Sequence, residues 1–135
     1  MLLDREGKHV GEVRMDETIQ DVGRALLRYR KRVSFALIEQ VNAMPKQGIA
    51  SAFKFGQAYG MQQAMVAILG WRYELIRPQE WQAQMRCRKN KKTKDKNVTK
   101  SAAQQLFPDI KVMHRNADAL LLAELARRIG KERGW

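Results

Sequence analysis

A short apolar run followed by a carboxylate constrains this chain more than any other feature. Phe35, Ala36, Leu37 and Ile38 are all apolar, and Glu39 follows directly. Such a run predicts a central β-strand of an α/β sheet that is covered on both faces. Open α/β sheets bind ligands at the carboxyl ends of their strands, which gives Glu39 a functional position. A solvated residue at a strand end would give the same local sequence.

The rest of the chain predicts alternating helices and strands around this strand. We expect a hairpin in residues 1–15 with its turn at residues 4–7, and a helix capped by Asp16 or Thr18. Further on we expect a helix over residues 49–69, a strand over residues 71–76, a short helix from Pro78, a helix over residues 99–107 and a last helix from Asn116 that Gly130 ends. At 135 residues, this predicts one α/β domain spanning residues 1–135.

Two glycines lie four residues apart in the helix predicted for residues 49–69. Gly56 and Gly60 fall on one face of that helix, and glycine destabilises a helix interior unless another backbone packs close to it. We therefore expect this helix to lie tight against the sheet or against a partner helix.

The charge balance favours a polyanionic partner. Lys and Arg number 26 against 14 Asp and Glu, which gives a formal charge of +12 and a pI of about 10.3. DNA or RNA fits this excess better than a membrane, because no segment combines a basic face with a strongly apolar one. Cys87 is the only cysteine, and no apolar run reaches membrane-spanning length. These features predict a cytoplasmic protein.

The cations concentrate in residues 86–100. They are Arg86, Arg88, Lys89, Lys91, Lys92, Lys94, Lys96 and Lys100, with Asp95 as the single acid among them. A run of this kind is typical of a solvated loop, and it is equally typical of a loop that tracks phosphates. The two interpretations are compatible, because such loops often become ordered on their polyanion.

Two strings resemble the RuvC family of Holliday junction resolvases, in particular its phage-type branch within the ribonuclease H-like superfamily. They are ALIEQV at residues 36–41 and FGQAYG at residues 55–60, and their separation also fits that family. The resemblance implies a ribonuclease H-like mixed sheet flanked by helices. It also implies an endonuclease that uses Mg²⁺, with Mn²⁺ as a substitute, on branched or four-way DNA as a homodimer.

The same resemblance assigns the catalytic residues. It makes Glu39 and Asp118 metal ligands, the latter because the string ADALLLA at residues 117–123 resembles the family's last helix. The family usually carries a further ligand three residues before that Asp, where this chain has Arg115, so His114 becomes a third catalytic candidate. Without the resemblance, Asp118 would be read as an acid complementing the dipole of a helix N-terminus.

Further residues are implied to contact DNA. Lys100 and Ser101 resemble a Lys-Ser pair at the start of a helix, where a cation and free N–H groups suit a phosphate. Lys46 lies in the loop of residues 42–48, which in the family reaches toward the junction. The bacterial enzymes place an aromatic residue three positions after the Glu, but this chain has Asn42 there.

The largest departure from the family is at the front of the chain. The family begins with a strand whose Asp is a principal metal ligand, and an Asp-x-x-Gly turn follows later. Here that turn is already at residues 4–7, so we expect the first strand to be missing or truncated. Two alternatives to an active nuclease therefore stay open: a non-catalytic DNA-binding module that keeps the fold, and a basic structural protein bound to RNA.

Overall fold

The computed structural model describes residues 1–14, 17–42, 46, 48–88 and 97–135 as a mixed α/β fold. Its strands are β1 (Leu2–Leu3), β2 (His9–Gly11), β3 (Phe35–Glu39) and β4 (Arg72–Ile76). Its helices are α1 (Ile19–Leu27), α2 (Ile49–Ile68), α3 (Pro78–Gln84), α4 (Val98–Leu106) and α5 (His114–Glu132). None of the helices in the described ranges is long and apolar enough to cross a membrane.

Strand β3 forms where the apolar run predicts it, and it is covered on both faces. It pairs in parallel with β4, Phe35 lying opposite Arg72 and Glu39 opposite Ile76. Ile38 packs with residues of α1 and α2, whereas Leu37 packs against the cluster formed by α3, α4 and α5. Alternate residues of a strand point to opposite faces, so this one strand contributes to both halves of the core. It is not central, however: in the described part of the chain β4 is its only partner.

The predicted N-terminal hairpin is confirmed by the antiparallel pair β1–β2. The Asp4 N–H donates to the Lys8 carbonyl at 3.0 Å, and the Lys8 N–H donates to Asp4 Oδ1 at 2.8 Å. Gly7 has a φ of +88°, and a Cβ there would lie 3.0 Å from Arg127 Nε. Arg127 also donates to the Arg5 carbonyl at 3.4 Å, so the turn is held against α5.

A carboxylate buried in α5 fixes that arginine. Glu124 is only 6% exposed, and it accepts hydrogen bonds from Arg127 and Arg128, each with its Nε at 2.8 Å. Burial by itself would raise the pKa of Glu124. The hydrogen bonds from the two guanidinium groups outweigh burial and hold the pKa below its ordinary value.

Glu124→Gln is therefore expected to lower the free energy of unfolding by about 1–3 kcal/mol near neutral pH, because the buried ion pair loses its carboxylate. The loss is limited because both arginines are partly exposed to water. A carboxylate with a lowered pKa contributes stability above its unfolded pKa and loses it as the pH falls through the folded pKa. Urea titrations at about pH 7 and about pH 3 should thus show the difference from wild type shrinking with acid. Glu132→Gln, an exposed change on the same helix, is the control; equal effects of the two variants would contradict this account.

One face of α2 is exposed in the described chain. Ile49 is 91% exposed and Phe53 is 70% exposed, and Gly56 and Gly60 continue the same stripe. A Cβ built on either glycine meets no heavy atom within 4 Å. Helix α2 contacts β3 and β4, as expected, but it does so through other residues, such as Val66, and not through the glycine face. A partner helix remains the alternative.

Helix α5 runs past its predicted end. Gly130 is buried inside the helix, and the stop comes at Gly134, which has a φ of +71°. The Trp135 N–H then donates to the Gly130 carbonyl at 2.8 Å, the closing bond of a Schellman motif. Trp135 packs edge-on against Phe35 with ring centroids 4.9 Å apart, which ties the end of α5 to β3.

Candidate metal centre and nucleic-acid interface

Glu39 is held at the end of β3 by a core tryptophan. Trp81 Nε1 donates to Glu39 Oε2 at 2.6 Å, and the Trp81 side chain is fully buried. An indole N–H that is removed from water needs an acceptor, and an ionised carboxylate is a strong one. The bond therefore orients one oxygen of Glu39, so this residue is not a freely solvated strand end.

Sequence reasoning missed Trp81. It assigned this residue only to the short helix that begins at Pro78, and that helix is confirmed as α3. The one available signal was that a buried tryptophan needs a hydrogen-bond acceptor. The sequence alone does not say which acceptor, because the two residues are 42 positions apart.

Asp118 lies deeper in α5 than predicted. The helix begins at His114 rather than at Asn116, because Asn116 Oδ1 accepts the Met113 N–H at 2.8 Å and caps the helix start. Asp118 is thus the fifth helical residue, and the first turn contains no acid. Since the dipole effect fades beyond the first turn, it gives no adequate reason for an acid here.

One oxygen of Asp118 is buried without a partner. Among the described residues, no hydrogen-bond donor reaches Asp118 Oδ1, although that atom is shielded from solvent. Leaving a buried polar atom unpaired costs about 1–3 kcal/mol, and more when the group is charged. An unpaired buried oxygen is retained at this cost most readily where the atom binds a ligand, and the ligand of a carboxylate oxygen is a cation.

The two carboxylates are on elements that pack together. Helix α5 contacts β3 directly, and α3 contacts α5. Trp81, which holds Glu39, lies in the same core cluster as Ala117, the residue before Asp118. The end of β3 and the first half of α5 therefore border one core, to which Trp81 also belongs.

His114 is the least supported of the three catalytic candidates. It is exposed at the first position of α5, four residues before Asp118 and so on the same side of the helix. No contact is described between its ring and either carboxylate. The described residues contain no group of three His, Cys, Asp or Glu side chains arranged to hold a metal ion.

Glu39 and Asp118 are both of the ligand type that Mg²⁺ takes from proteins. Mg²⁺ is usually held by one or two carboxylates, with water and substrate phosphate completing its shell. Here one carboxylate is oriented by Trp81, and the other presents a shielded oxygen with no donor in the described chain. Two such oxygens match that ligand chemistry.

The predicted DNA contacts are described only in part. Lys89, Lys91, Lys92, Lys94 and Lys96 lie outside the described residues. Arg86 and Arg88 are exposed just after α3, Lys100 is half-buried and Ser101 exposed in the first turn of α4, and Lys46 is exposed between α2 and β3. The basic segment thus starts at the end of the helix that carries Trp81.

Arg86 has a backbone conformation that normally belongs to glycine. Its φ is +54°, and it ends α3 in a Schellman motif in which the Cys87 N–H donates to the Gln82 carbonyl at 2.9 Å. A left-handed non-glycine residue costs about 1–2 kcal/mol. Strain of this kind concentrates at functional sites, so it favours a role for the Arg86 side chain.

No protein-family model and no curated protein matches this chain.

Proposed function

We propose that this chain is a metal-dependent nuclease of the ribonuclease H-like class that acts on DNA. More particularly, the strings around Glu39 and Gly60 favour an endonuclease similar to the phage-type RuvC resolvases, which cut four-way junctions. The observation that carries the proposal is the shielded, unpartnered Asp118 Oδ1 on a helix that packs against the strand ending in Glu39.

Each residue has a defined part in this proposal. Glu39 and Asp118 hold Mg²⁺, or Mn²⁺ in its place, and His114, one helical turn before Asp118, is a further catalytic candidate. The bound ion would lower the pKa of a water and stabilise the charge that develops on the scissile phosphate. Trp81 fixes the Glu39 carboxylate, and the cations at residues 86–100 position the DNA backbone.

The exposed stripe of α2 is the surface we assign to a homodimer. A four-way junction is cut at two symmetric positions, so two copies related by a two-fold axis suit the substrate. Ile49 and Phe53 supply apolar area, and Gly56 and Gly60 allow two helix backbones to approach closely.

A second candidate function rests on a specific observation. The described residues offer two carboxylates rather than a cluster of three ligands. A non-catalytic DNA-binding module would keep the basic surface and have an incomplete metal site. Both candidates predict binding that weakens steeply as salt rises, so salt dependence does not separate them.

The test is cleavage of a labelled four-way junction in Mg²⁺ or Mn²⁺, beside a flap, a linear duplex and an RNA–DNA hybrid. Junction binding is measured in parallel in Ca²⁺, which supports binding without rapid chemistry. The nuclease proposal predicts metal-dependent cutting of the junction in preference to the duplex. Tight junction binding with no cutting in either metal would establish the DNA-binding module instead.

Arg86→Gly is expected to separate DNA binding from stability. Glycine accepts the left-handed backbone, so the free energy of unfolding should rise by about 0.5–1 kcal/mol. Loss of one phosphate contact should weaken junction binding several-fold and reduce the salt slope by about 1. Arg86→Lys keeps the charge and should retain most of the affinity. Unchanged binding and salt slope in Arg86→Gly would remove Arg86 from the interface.

A further inference from the structure

A second group of cations lies at the opposite end of β3 from the candidate metal site. It comprises Arg28, Arg30, Lys31 and Arg32, four cations within five residues that include no acid. All four residues are exposed. This segment, residues 28–32, follows α1 and ends shortly before β3 begins, and we call it the basic turn. The nuclease proposal assigns it no part.

Hydrogen bonds fix the backbone of the basic turn. The Arg30 N–H donates to the Leu27 carbonyl at 3.2 Å, and the Arg32 N–H donates to the Tyr29 carbonyl at 2.8 Å. Bonds from each N–H to the carbonyl three residues earlier continue the tight path of the chain beyond the end of α1. The charged side chains are therefore carried on an ordered segment of backbone.

Two aromatic residues anchor this backbone to the rest of the domain. Trp71 is only 6% exposed, and its Nε1 donates to the Arg30 carbonyl at 3.1 Å. The Tyr29 ring packs against one of the two core clusters, and a Cβ at Gly11 would overlap its hydroxyl. Exposed side chains on a segment held by a rigid scaffold are typical of binding loops.

The cations of the basic turn have no carboxylate partners in the described ranges of the chain. The ion pairs seen there use other arginines, which are Arg24, Arg127, Arg128 and Arg133. Like charges so close together repel one another and disfavour the folded state. A polyanion removes this repulsion, and the closely spaced phosphates of nucleic acid supply the matching charges.

The surroundings of the basic turn favour a double helix over a single strand or a membrane. Proteins bind single strands by stacking bases on accessible aromatic rings, but Tyr29 is half-buried and Trp71 is buried. Membrane-surface helices present a continuous apolar face, whereas α1 buries Val22 and Leu26 in the core. Contacts from cations to phosphates alone are the usual means of holding a duplex without reading its sequence.

The position of the basic turn separates it from the DNA expected near Glu39. Strand β3 extends for about 13 Å from Phe35 to Glu39 at about 3.3 Å per residue, and the turn lies before Phe35. Residues of other elements pack on both faces of this strand, so its two ends belong to opposite sides of the domain. A single duplex would have to bend around the domain to contact both ends, and bending DNA costs elastic energy.

We propose that the basic turn is a second DNA-binding surface, which holds the phosphate backbone of a double helix separate from the one at the candidate metal site. One chain would then hold two duplex segments at the same time. The basic turn binds DNA whether or not the chain cuts it, so this inference and the nuclease proposal fail separately.

The first test uses the double variant Lys31→Gln/Arg32→Gln and a linear duplex of about 20 base pairs, with binding followed by fluorescence anisotropy in EDTA at several salt concentrations. Affinity should fall at least about tenfold, and the salt slope should decrease by about 2, one for each lost phosphate contact. Without DNA the thermal midpoint should stay the same or rise, because repulsion is reduced. A lower midpoint would assign these cations a structural role and overturn the proposal.

Two further variants separate local contacts from net charge. Arg24→Gln/Lys54→Gln removes the same charge at exposed positions elsewhere, and should keep most of the affinity. Lys31→Arg/Arg32→Lys keeps both charges and should bind like wild type. Equal losses of affinity in the two charge-removing variants would show that only net charge matters, which would overturn the proposal.

The second test asks whether the duplexes are separate. One duplex carries a donor dye and another an acceptor, and energy transfer reports that the protein holds both. Transfer should occur with wild type and with Arg24→Gln/Lys54→Gln, and it should be lost with Lys31→Gln/Arg32→Gln. Full transfer in that last variant would overturn the proposal. So would unchanged duplex binding together with lost binding to phosphatidylserine vesicles, which would assign the basic turn to a membrane.

Discussion

Glu39→Gln is expected to lower the rate of metal-dependent junction cleavage by at least about 100-fold, because it removes a charged metal ligand. The substitution is nearly isosteric, and the glutamine oxygen still accepts the Trp81 N–H that reaches Glu39 Oε2 at 2.6 Å. The thermal midpoint should therefore change little. Single-turnover cleavage at saturating protein measures the chemical step separately from binding.

Glu17→Gln is the matched control for this prediction. Glu17 is exposed ahead of α1, so the same change in charge there should leave cleavage unaffected. Junction affinity in Ca²⁺ should be similar in both variants, since neither residue belongs to the basic segment. Cleavage at the wild-type rate in Glu39→Gln would remove this residue from the catalytic site.

Asp118→Asn is expected to have two opposite effects. It should lower cleavage at least about 100-fold, because the second metal ligand loses its charge. In EDTA it should also raise the free energy of unfolding by about 1–2 kcal/mol, since a shielded anionic oxygen without a donor becomes a neutral one. For a domain of this size the thermal midpoint should rise by about 3–6 °C.

Asp109→Asn makes the same change at an exposed position between α4 and α5. It should alter neither cleavage nor the thermal midpoint. If Asp118 had a purely structural role, its replacement would lower both the stability and the cleavage activity. A lower thermal midpoint for Asp118→Asn in EDTA would show that this carboxylate stabilises the metal-free fold. That result would contradict the claim that its oxygen is left unpaired to bind a cation.

Helices, strands and turns were predicted correctly from the sequence where a single physical rule decided the local structure. The apolar run ending in Glu39 gave β3, the Asp4 turn gave the hairpin, and Pro78 marked the first residue of α3. Helix α5 began earlier and ended later than expected. Its limits depend on the Asn116 cap and on the left-handed Gly134, and sequence periodicity does not distinguish these from Gly130.

The long-range contacts of the site were harder to predict from the sequence. The sequence singled out Glu39 and Asp118 through a family resemblance, but not the bond between Glu39 and Trp81. Nor did the apolar run reveal that β3 pairs on only one edge in the described part of the chain, because burial on both faces gives the same sequence in a central strand and in an edge strand. Neighbours across a sheet are set by tertiary packing, which a single sequence does not specify.

The central claim is that Glu39 and Asp118 hold the same divalent ion, and Mn²⁺ binding tests it most directly. Calorimetric titration of the DNA-free protein compares wild type, Glu39→Gln, Asp118→Asn and the double variant. If the carboxylates share an ion, each single change should weaken Mn²⁺ at least about tenfold, and the double variant should lose less than the sum of the two free energies. Wild-type Mn²⁺ affinity in either single variant would contradict the shared site.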